Sequence, residues 1–321
     1  MDTFILMFKN VFIFVALAVP GYIMAKTKMI TQDKTIGLSK VLTYLGIPFL
    51  VFDGTVKISF NGSILTVILL SILITVVSMF FWFFITKPLT SGFKDIKEQG
   101  VARFAMFSFN NGFLGIPLAK AVFGTSDILT AVIASNVINN IISYVLGIYL
   151  ISGDKKNISM KNILLNPVLI AFLIGIILNL TGVNKVVPEI ETYSGYFSNI
   201  VTPIAMIILG LKMGEVKFKD VLCSKRMYYV ALINLITIPV VIVGVLVGIN
   251  QFVSLPYALI MGTFISFAMP AAGMTTSLAD QFNGDTKGAV IYTLGTTLLS
   301  VISISVLYYL LVLIIGPYVV V

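Results

Sequence analysis

Three observations predict an all-α membrane protein with ten transmembrane helices: the apolar balance of the chain, the length of its apolar runs, and the one-sided placement of its basic residues. Of 321 residues, 58% are hydrophobic and 11% charged, and the mean hydropathy is +1.06. Water-soluble domains of ordinary composition lie far from this balance. Windows of roughly 20 apolar residues, the length that crosses a hydrocarbon core of ~30 Å, fall at 4–25, 37–56, 63–85, 102–123, 128–151, 163–183, 195–213, 228–249, 257–282 and 287–315. The longest polar connections, 86–101, 152–162, 184–194 and 214–227, are too short to fold alone. One membrane domain is therefore expected to account for the chain.

Taken in order, span 1 contains Ala16-Leu17-Ala18, which imitates a signal-peptide cleavage site, but Asp2 and the lack of a basic cluster before it predict a retained span. Span 2 holds Pro48, then Asp53 and Lys57. A carboxylate in or near a span is a functional candidate, here for proton binding, while Asp53 and Lys57 at i, i+4 equally suit a helical ion pair near the interface. Span 4 reads F-N-N-G-F-L-G-I-P-L from Phe109 to Leu118, and its glycines and Pro117 predict a break in the helix at Asn110–Pro117. Asn136, Asn139 and Asn140 share one face of span 5 and suit interhelical hydrogen bonding, with Asn136 and Asn140 also candidates for an ion site. Spans 6 and 7 carry no comparable polar cluster. In span 8, Asn234 is isolated and reads as packing. Span 9 contains F-A-M-P-A-A-G-M-T-T-S, predicting a second break at Ala268–Gly273. Asp280 lies ten residues past Pro270, about 15 Å along a helix, near the end of that span; with Gln281 it is a surface charge or part of a gate or ion site.

Charge sets the expected orientation. Only Lys9, Lys57, Lys120 and Lys185 of the 21 basic residues fall on the side that carries both termini, leaving 17 on the other. The positive-inside rule makes the richer side cytoplasmic and both termini extracytoplasmic. The net charge of +8 is then mostly topogenic, and nucleic acid is not an expected partner. The single Cys223 excludes an intramolecular disulfide, and the absence of His excludes His-based catalysis and His metal ligation.

The second half echoes the first at a spacing of roughly 155 residues, as internal repeats in transporters do. Gly46-Ile47-Pro48 corresponds to Val201-Thr202-Pro203, and Ser108-Phe109 followed by a break corresponds to Ser266-Phe267 followed by a break. Five spans per repeat, 1–152 and 160–321, require opposite orientations, hence an inverted repeat with a discontinuous helix in each half. Half-helix N-termini near the midplane, started by Pro117 and Pro270, would turn free N–H groups toward one point, which favours an anion. Such backbone survives only inside protein or along a cavity. The expected substrate site therefore comprises Asn110, Asn111, Gly112, Gly115 and Pro117 with Pro270, Ala271 and Gly273.

The stretch Asn110-Asn111-Gly112-Phe113-Leu114-Gly115-Ile116-Pro117 resembles the fourth-helix motif of the auxin efflux carrier family, which includes bacterial malate and malonate permeases. Pro270 followed by Ser277-Leu278-Ala279-Asp280-Gln281-Phe282 resembles the ninth-helix segment of that family. The resemblance implies a scaffold of spans 1, 2, 6 and 7, a transport domain of spans 3–5 and 8–10, and a substrate site where helices 4 and 9 cross. The long hydrophilic loop of plant members is missing, since only Ser152–Asn162 joins the halves, which points to a carrier of small organic anions such as malate in the cell membrane. A sodium-coupled symporter of the bile acid transporter type is the alternative, with a channel or receptor behind it. H-E-x-x-H, a His for a Ser–His dyad and a Walker A loop are all missing, so no enzyme is expected. The expected partners are the anion, membrane lipid and, in a homodimer, a second copy of the chain. No cofactor is expected beyond a coupling proton or sodium ion.

Overall fold

A computed structural model describes residues 2–58, 60–93 and 95–316. Lys94, one of the residues counted for orientation, and the last five residues of the second repeat lie outside them. Among the described residues, seven helices are long and apolar enough to cross a membrane: α1 (Phe4–Lys26), α2 (Lys34–Val56), α3 (Gly62–Leu89), α6 (Asp127–Ser152), α8 (Glu189–Gly214), α9 (Lys225–Asn250) and α12 (Thr286–Ile315). Between them stand α4 (Ile96–Phe107), α5 (Asn111–Phe123), α7 (Pro167–Leu180), α10 (Tyr257–Phe267) and α11 (Met274–Gln281). No strand forms among the described residues beyond a single isolated bridge.

Every apolar window predicted from sequence is helical, but three are not single long helices. Windows 102–123 and 257–282 are interrupted, and window 163–183 shrinks to the 14 residues of α7, about 21 Å against the ~30 Å core. Its ends explain its length. Asn166 accepts from Val168 N–H at 2.9 Å with Pro167 in the first turn, and Gly182, at φ +72°, stops the other end.

Proline does not break the helices where the sequence suggests. The chain stays wound through Pro48, Pro117 and Pro239, and each is preceded by a wide π-helical turn: Leu42–Gly46, Asn111–Gly115 and Leu232–Thr237. In each, the residue just before the proline donates five residues back, as Ile116 N–H does to Asn111 C=O. A proline supplies no N–H and its ring crowds the carbonyl four residues earlier, so one wide turn absorbs both defects without ending the helix. The break of span 4 therefore sits earlier, at Ser108–Asn110.

Helix contacts rely on small residues. A Cβ on Gly210 would stand 1.9 Å from Ala18 O, and one on Gly21 2.1 Å from Ile207 O, so α1 and α8 meet backbone to backbone as small-residue interfaces in membranes do. The first half of α1, Asp2–Ala16, packs instead on α12. The second half of α2 lies against α7 and the start of α8. Its terminal carbonyls are closed by Asn179, which donates to Val56 C=O at 2.7 Å, and by Asn184, which donates to the same oxygen at 3.0 Å. Helix α6 is central, taking α3, α4 and α10 on different faces. Leu65, Leu69, Leu73, Val77 and Phe84 of α3 are exposed at helical spacing. Such a stripe suits lipid contact.

Candidate functional site

The two interruptions touch. Phe109 and Ala271 form an antiparallel bridge in which Asn110 N–H donates to Pro270 C=O at 2.9 Å and Ala272 N–H donates to Ser108 C=O at 3.2 Å. The Phe109 and Phe267 rings meet edge to face at 4.9 Å. Backbone that leaves a helix inside a membrane protein must find other partners, and three further elements supply them. From α6, Asn139 Nδ2 donates to Phe109 C=O at 2.9 Å. From α9, Asn234 Nδ2 donates to Met106 C=O, in the last turn of α4, at 3.1 Å. From α12, Thr296 Oγ1 accepts from Ala271 N–H at 3.2 Å.

This arrangement corrects two expectations. The N–H groups of Asn110, Ala271 and Ala272 do not converge as free donors, because cross-break pairing and Thr296 occupy them. Pro270 lies within the break and contributes its carbonyl, while Met274 starts the second half-helix; Pro117 does stand in the first turn of the α-helical stretch Ile116–Phe123, but the π-helical turn Asn111–Gly115 is already wound ahead of it. Nor is Asn234 only packing: it closes a helix end from 128 residues away. Because that partnership is tertiary, nothing local in the sequence marks it.

The remaining polar groups at the breaks are side-chain amides. Asn110 and Asn111 are buried, and Asn111 Oδ1 has no hydrogen-bond partner among the described residues. Asn136 is fully buried; its Oδ1 accepts from Asn140 Nδ2 at 3.0 Å, while its own Nδ2 lacks a partner among the described residues. The two glycines hold these amides close: a Cβ on Gly112 would stand 3.4 Å from Asn136 Oδ1, and one on Gly115 3.7 Å from Asn111 Oδ1 and 3.3 Å from Met269. Gly273 faces Phe113 in the same way, its Cβ position 3.6 Å from the ring. The structure thus gathers Asn111, Gly112, Gly115 and Asn136 beside the break carrying Pro270, Ala271 and Gly273. An unpartnered buried donor and an unpartnered buried acceptor stand in that cluster, each costing about 1–3 kcal/mol while unmet.

Asp53, Asp280 and Gln281 lie apart from it. Asp53 is buried and bound by Lys57 Nζ at 2.7 Å, Ser194 Oγ at 3.0 Å and Lys120 Nζ at 3.4 Å. The helical pair read from the sequence is formed, with two further partners the sequence did not reveal. Asp280 and Gln281 are exposed in the last turn of α11. A lysine overlooked near the second break is Lys212 of α8, which donates to Thr276 Oγ1 in the first turn of α11. Its signal was present: Lys57 and Lys212 stand 155 positions apart, the spacing at which the two halves resemble each other.

Comparison with known proteins agrees with a transport role. A family described as membrane transport protein matches residues 5–308. An uncharacterized transporter of Methanothermobacter thermautotrophicus is 29% identical over 205 residues, covering 60% of this chain and 63% of the relative, so the chain spans under two thirds of that protein's length. The family match includes both interrupted helices and nearly the whole sequence, and on it this chain belongs to the auxin efflux carrier family of membrane transport proteins.

Proposed function

We propose that the chain is a secondary transporter of small organic anions, mono- or dicarboxylates such as malate, which binds its substrate beside the paired breaks and works by alternating access. In this reading the chain has ten spans in two inverted five-helix repeats, with the basic connections cytoplasmic and both termini outside the cell membrane. Spans 1, 2, 6 and 7 form the scaffold, and spans 3–5 and 8–10 the moving part.

The observation that carries the reading is the division of labour among the amides. Asn139 and Asn234 are committed to the broken backbone, whereas Asn111 Oδ1 and Asn136 Nδ2 are buried without partners among the described residues. A carboxylate accepts from Asn136 Nδ2 and from Asn110; a hydroxyl or a coupling ion satisfies Asn111 Oδ1. Gly112, Gly115, Pro117, Pro270, Ala271 and Gly273 shape the surface around them. None of these named residues is charged, which suits a carrier that must release its anion on the far side.

A sodium-coupled symporter is the second reading. Asn111 Oδ1, Asn234 Oδ1, Ser266 Oγ and Thr293 Oγ1 are all buried oxygens without partners among the described residues, on elements around the breaks, and sodium takes oxygen ligands.

Counterflow of labelled malate and malonate in proteoliposomes tests both. A carrier shows trans-stimulation, a channel shows none, and a sodium requirement selects the symporter. Asn111→Ala is expected to weaken anion affinity on the order of tenfold to a hundredfold, from about 1–3 kcal/mol for a positioned amide. Asn111→Asp should be worse, since it adds a like charge. A variant Asn111→Ala that binds and moves every tested carboxylate like the parent would place the site elsewhere.

A further inference from the structure

Arg103 is a cation without a counter-charge. It lies in α4, shortly before the first break, and the ion pairs formed among the described residues all belong to other groups. Its one hydrogen bond among them runs from Nη2 to Phe83 C=O of α3 at 2.8 Å, while its Nε is buried without a partner. A guanidinium has five donors. The carbonyl takes one of them and, being neutral, leaves the charge unbalanced, which is costly inside an apolar span. The balancing anion has to come from outside the described chain.

The surroundings are aromatic and basic. The guanidinium carbon stands 5.3 Å from the centre of the Phe83 ring, Phe83 lies 6.1 Å from Tyr149 of α6, and Lys155 Nζ stands 5.6 Å from the centre of the Tyr149 ring. Two cations thus flank two adjoining rings. The backbone sets this up: a Cβ on Gly100 would stand 2.1 Å from Leu150 O, so α4 and α6 meet closely there, and Arg103, three residues on, shares that face of α4. Phe83 lies in the last two turns of α3 and Tyr149 in the last turn of α6, at the end of the bundle that carries the basic connections 86–101 and 152–162. Tyrosine and long basic side chains suit the boundary of hydrocarbon and headgroups, where an apolar body and a polar tip are both accommodated. The exposed stripe of α3 reaches the same place. Phe84 is exposed with its ring 5.1 Å from that of Phe83, and Phe80 and Val77 continue the exposed surface into the apolar span at helical spacing.

We infer that Arg103, with Lys155, holds the phosphate of an anionic membrane lipid where α3, α4 and α6 meet, and that the acyl chains of this lipid lie along Phe84, Phe80 and Val77. Phosphate oxygens accept several charge-assisted hydrogen bonds from one guanidinium. A lipid fits better than a free anion because the unbalanced cation adjoins an apolar stripe, and basic sites between helices at a membrane face are where such headgroups bind. The inference does not depend on what the carrier moves.

Trp82, the single tryptophan of the chain, is a natural reporter: it precedes Phe83, and its ring lies 5.3 Å from that of the exposed Phe81. The full chain is reconstituted in mixtures of phosphatidylcholine and phosphatidylglycerol with brominated acyl chains on one lipid or the other, and quenching of Trp82 is compared. Phosphatidylglycerol is expected to be preferred about fivefold, the factor one basic residue contributes at an anionic surface. Arg103→Gln should remove the preference, whereas Lys97→Gln, an exposed position of the same helix, should keep it. Lys155→Gln should lower the preference, and it carries the test if Arg103→Gln yields no folded protein by gel filtration. Equal quenching by the two lipids in the parent overturns the site. So does a preference that survives the glutamine change at Arg103, or at Lys155 where that variant carries the test. An equal loss in Lys97→Gln would assign the effect to general surface charge, and a loss on adding inorganic phosphate at matched ionic strength would assign it to a free anion; either result also overturns the lipid site.

Discussion

Replacing Asn139 and Asn111 by alanine should move stability and binding in opposite ways, although both are buried amides of neighbouring elements. Asn139 makes a 2.9 Å bond to Phe109 C=O and accepts from Ser143 Oγ at 3.3 Å. Side-chain hydrogen bonds between membrane helices are worth about 0.6 kcal/mol on average and about 1.7 at most, so losing both interactions, with the Phe109 carbonyl left to Asn111 N–H alone at 2.9 Å, should cost about 1–2 kcal/mol. Asn111 Oδ1 has no such bond to lose. Its removal relieves an unmet buried acceptor of about 1–3 kcal/mol, offset by a small void of about 1 kcal/mol, leaving stability level or raised. The assay is thermal unfolding in detergent without substrate, followed by malate binding. The expected order of midpoints is Asn139→Ala lowest, then parent, with Asn111→Ala equal or highest. Malate binding, whose hydroxyl donates to Asn111 Oδ1, should fall most in Asn111→Ala. If ligand-free Asn111→Ala melts as far below the parent as Asn139→Ala does, the amide is structural and the reasoning fails.

Gly210→Ala should abolish folded yield, because its Cβ would lie 1.9 Å from a backbone carbonyl that no rotamer change can move; Gly37→Ala, with nothing within 4 Å, is the control, and gel filtration reads both. Asp53→Asn should lower thermal stability by leaving Lys57 and Lys120 facing each other, and should keep the shape of the pH–uptake profile, since its oxygens are committed to Lys57, Lys120 and Ser194; a flattened profile in proteoliposomes would restore the proton-carrying role. Thr296→Val should reduce stability by about 1 kcal/mol through the lost acceptor for Ala271 N–H, read as a lower melting midpoint.

Membrane helices were legible because the bilayer demands a run of apolar residues, and that demand is local. The two interruptions were legible as regions for the same reason: glycine, proline and amides inside such a run contradict it. Their registers were not, and the cause is specific. Pro117 suggested a break beside itself, yet the wide turn Asn111–Gly115 absorbs it and the helix gives way at Ser108–Asn110. What the amides do was equally hidden. Asn139 and Asn136 stand three residues apart on one helix, and only the partner 30 residues away distinguishes the one that holds the backbone from the one left open. Asp53 met the same limit, with Lys57 in sight at i+4 but Lys120 and Ser194 lying 67 and 141 residues away.

The lysine spacing bears on how the molecule moves. Lys57 ends α2 and Lys212 lies near the end of α8, 155 positions later, and each stands at the half-helix that follows a break: Lys57 beside Lys120 of α5 through their shared Asp53, Lys212 on Thr276 of α11. The two ties differ in kind. Asp53 joins two cations to a buried carboxylate, whereas Thr276 offers Lys212 a neutral hydroxyl that also donates to Gly273 C=O at 2.8 Å. Hydrogen bonds with an ionised donor or acceptor are roughly twice as strong as neutral ones, so both ties are of the strong kind; the α2–α5 side differs in joining two cations through one buried carboxylate, where the α8–α11 side joins one cation to one hydroxyl.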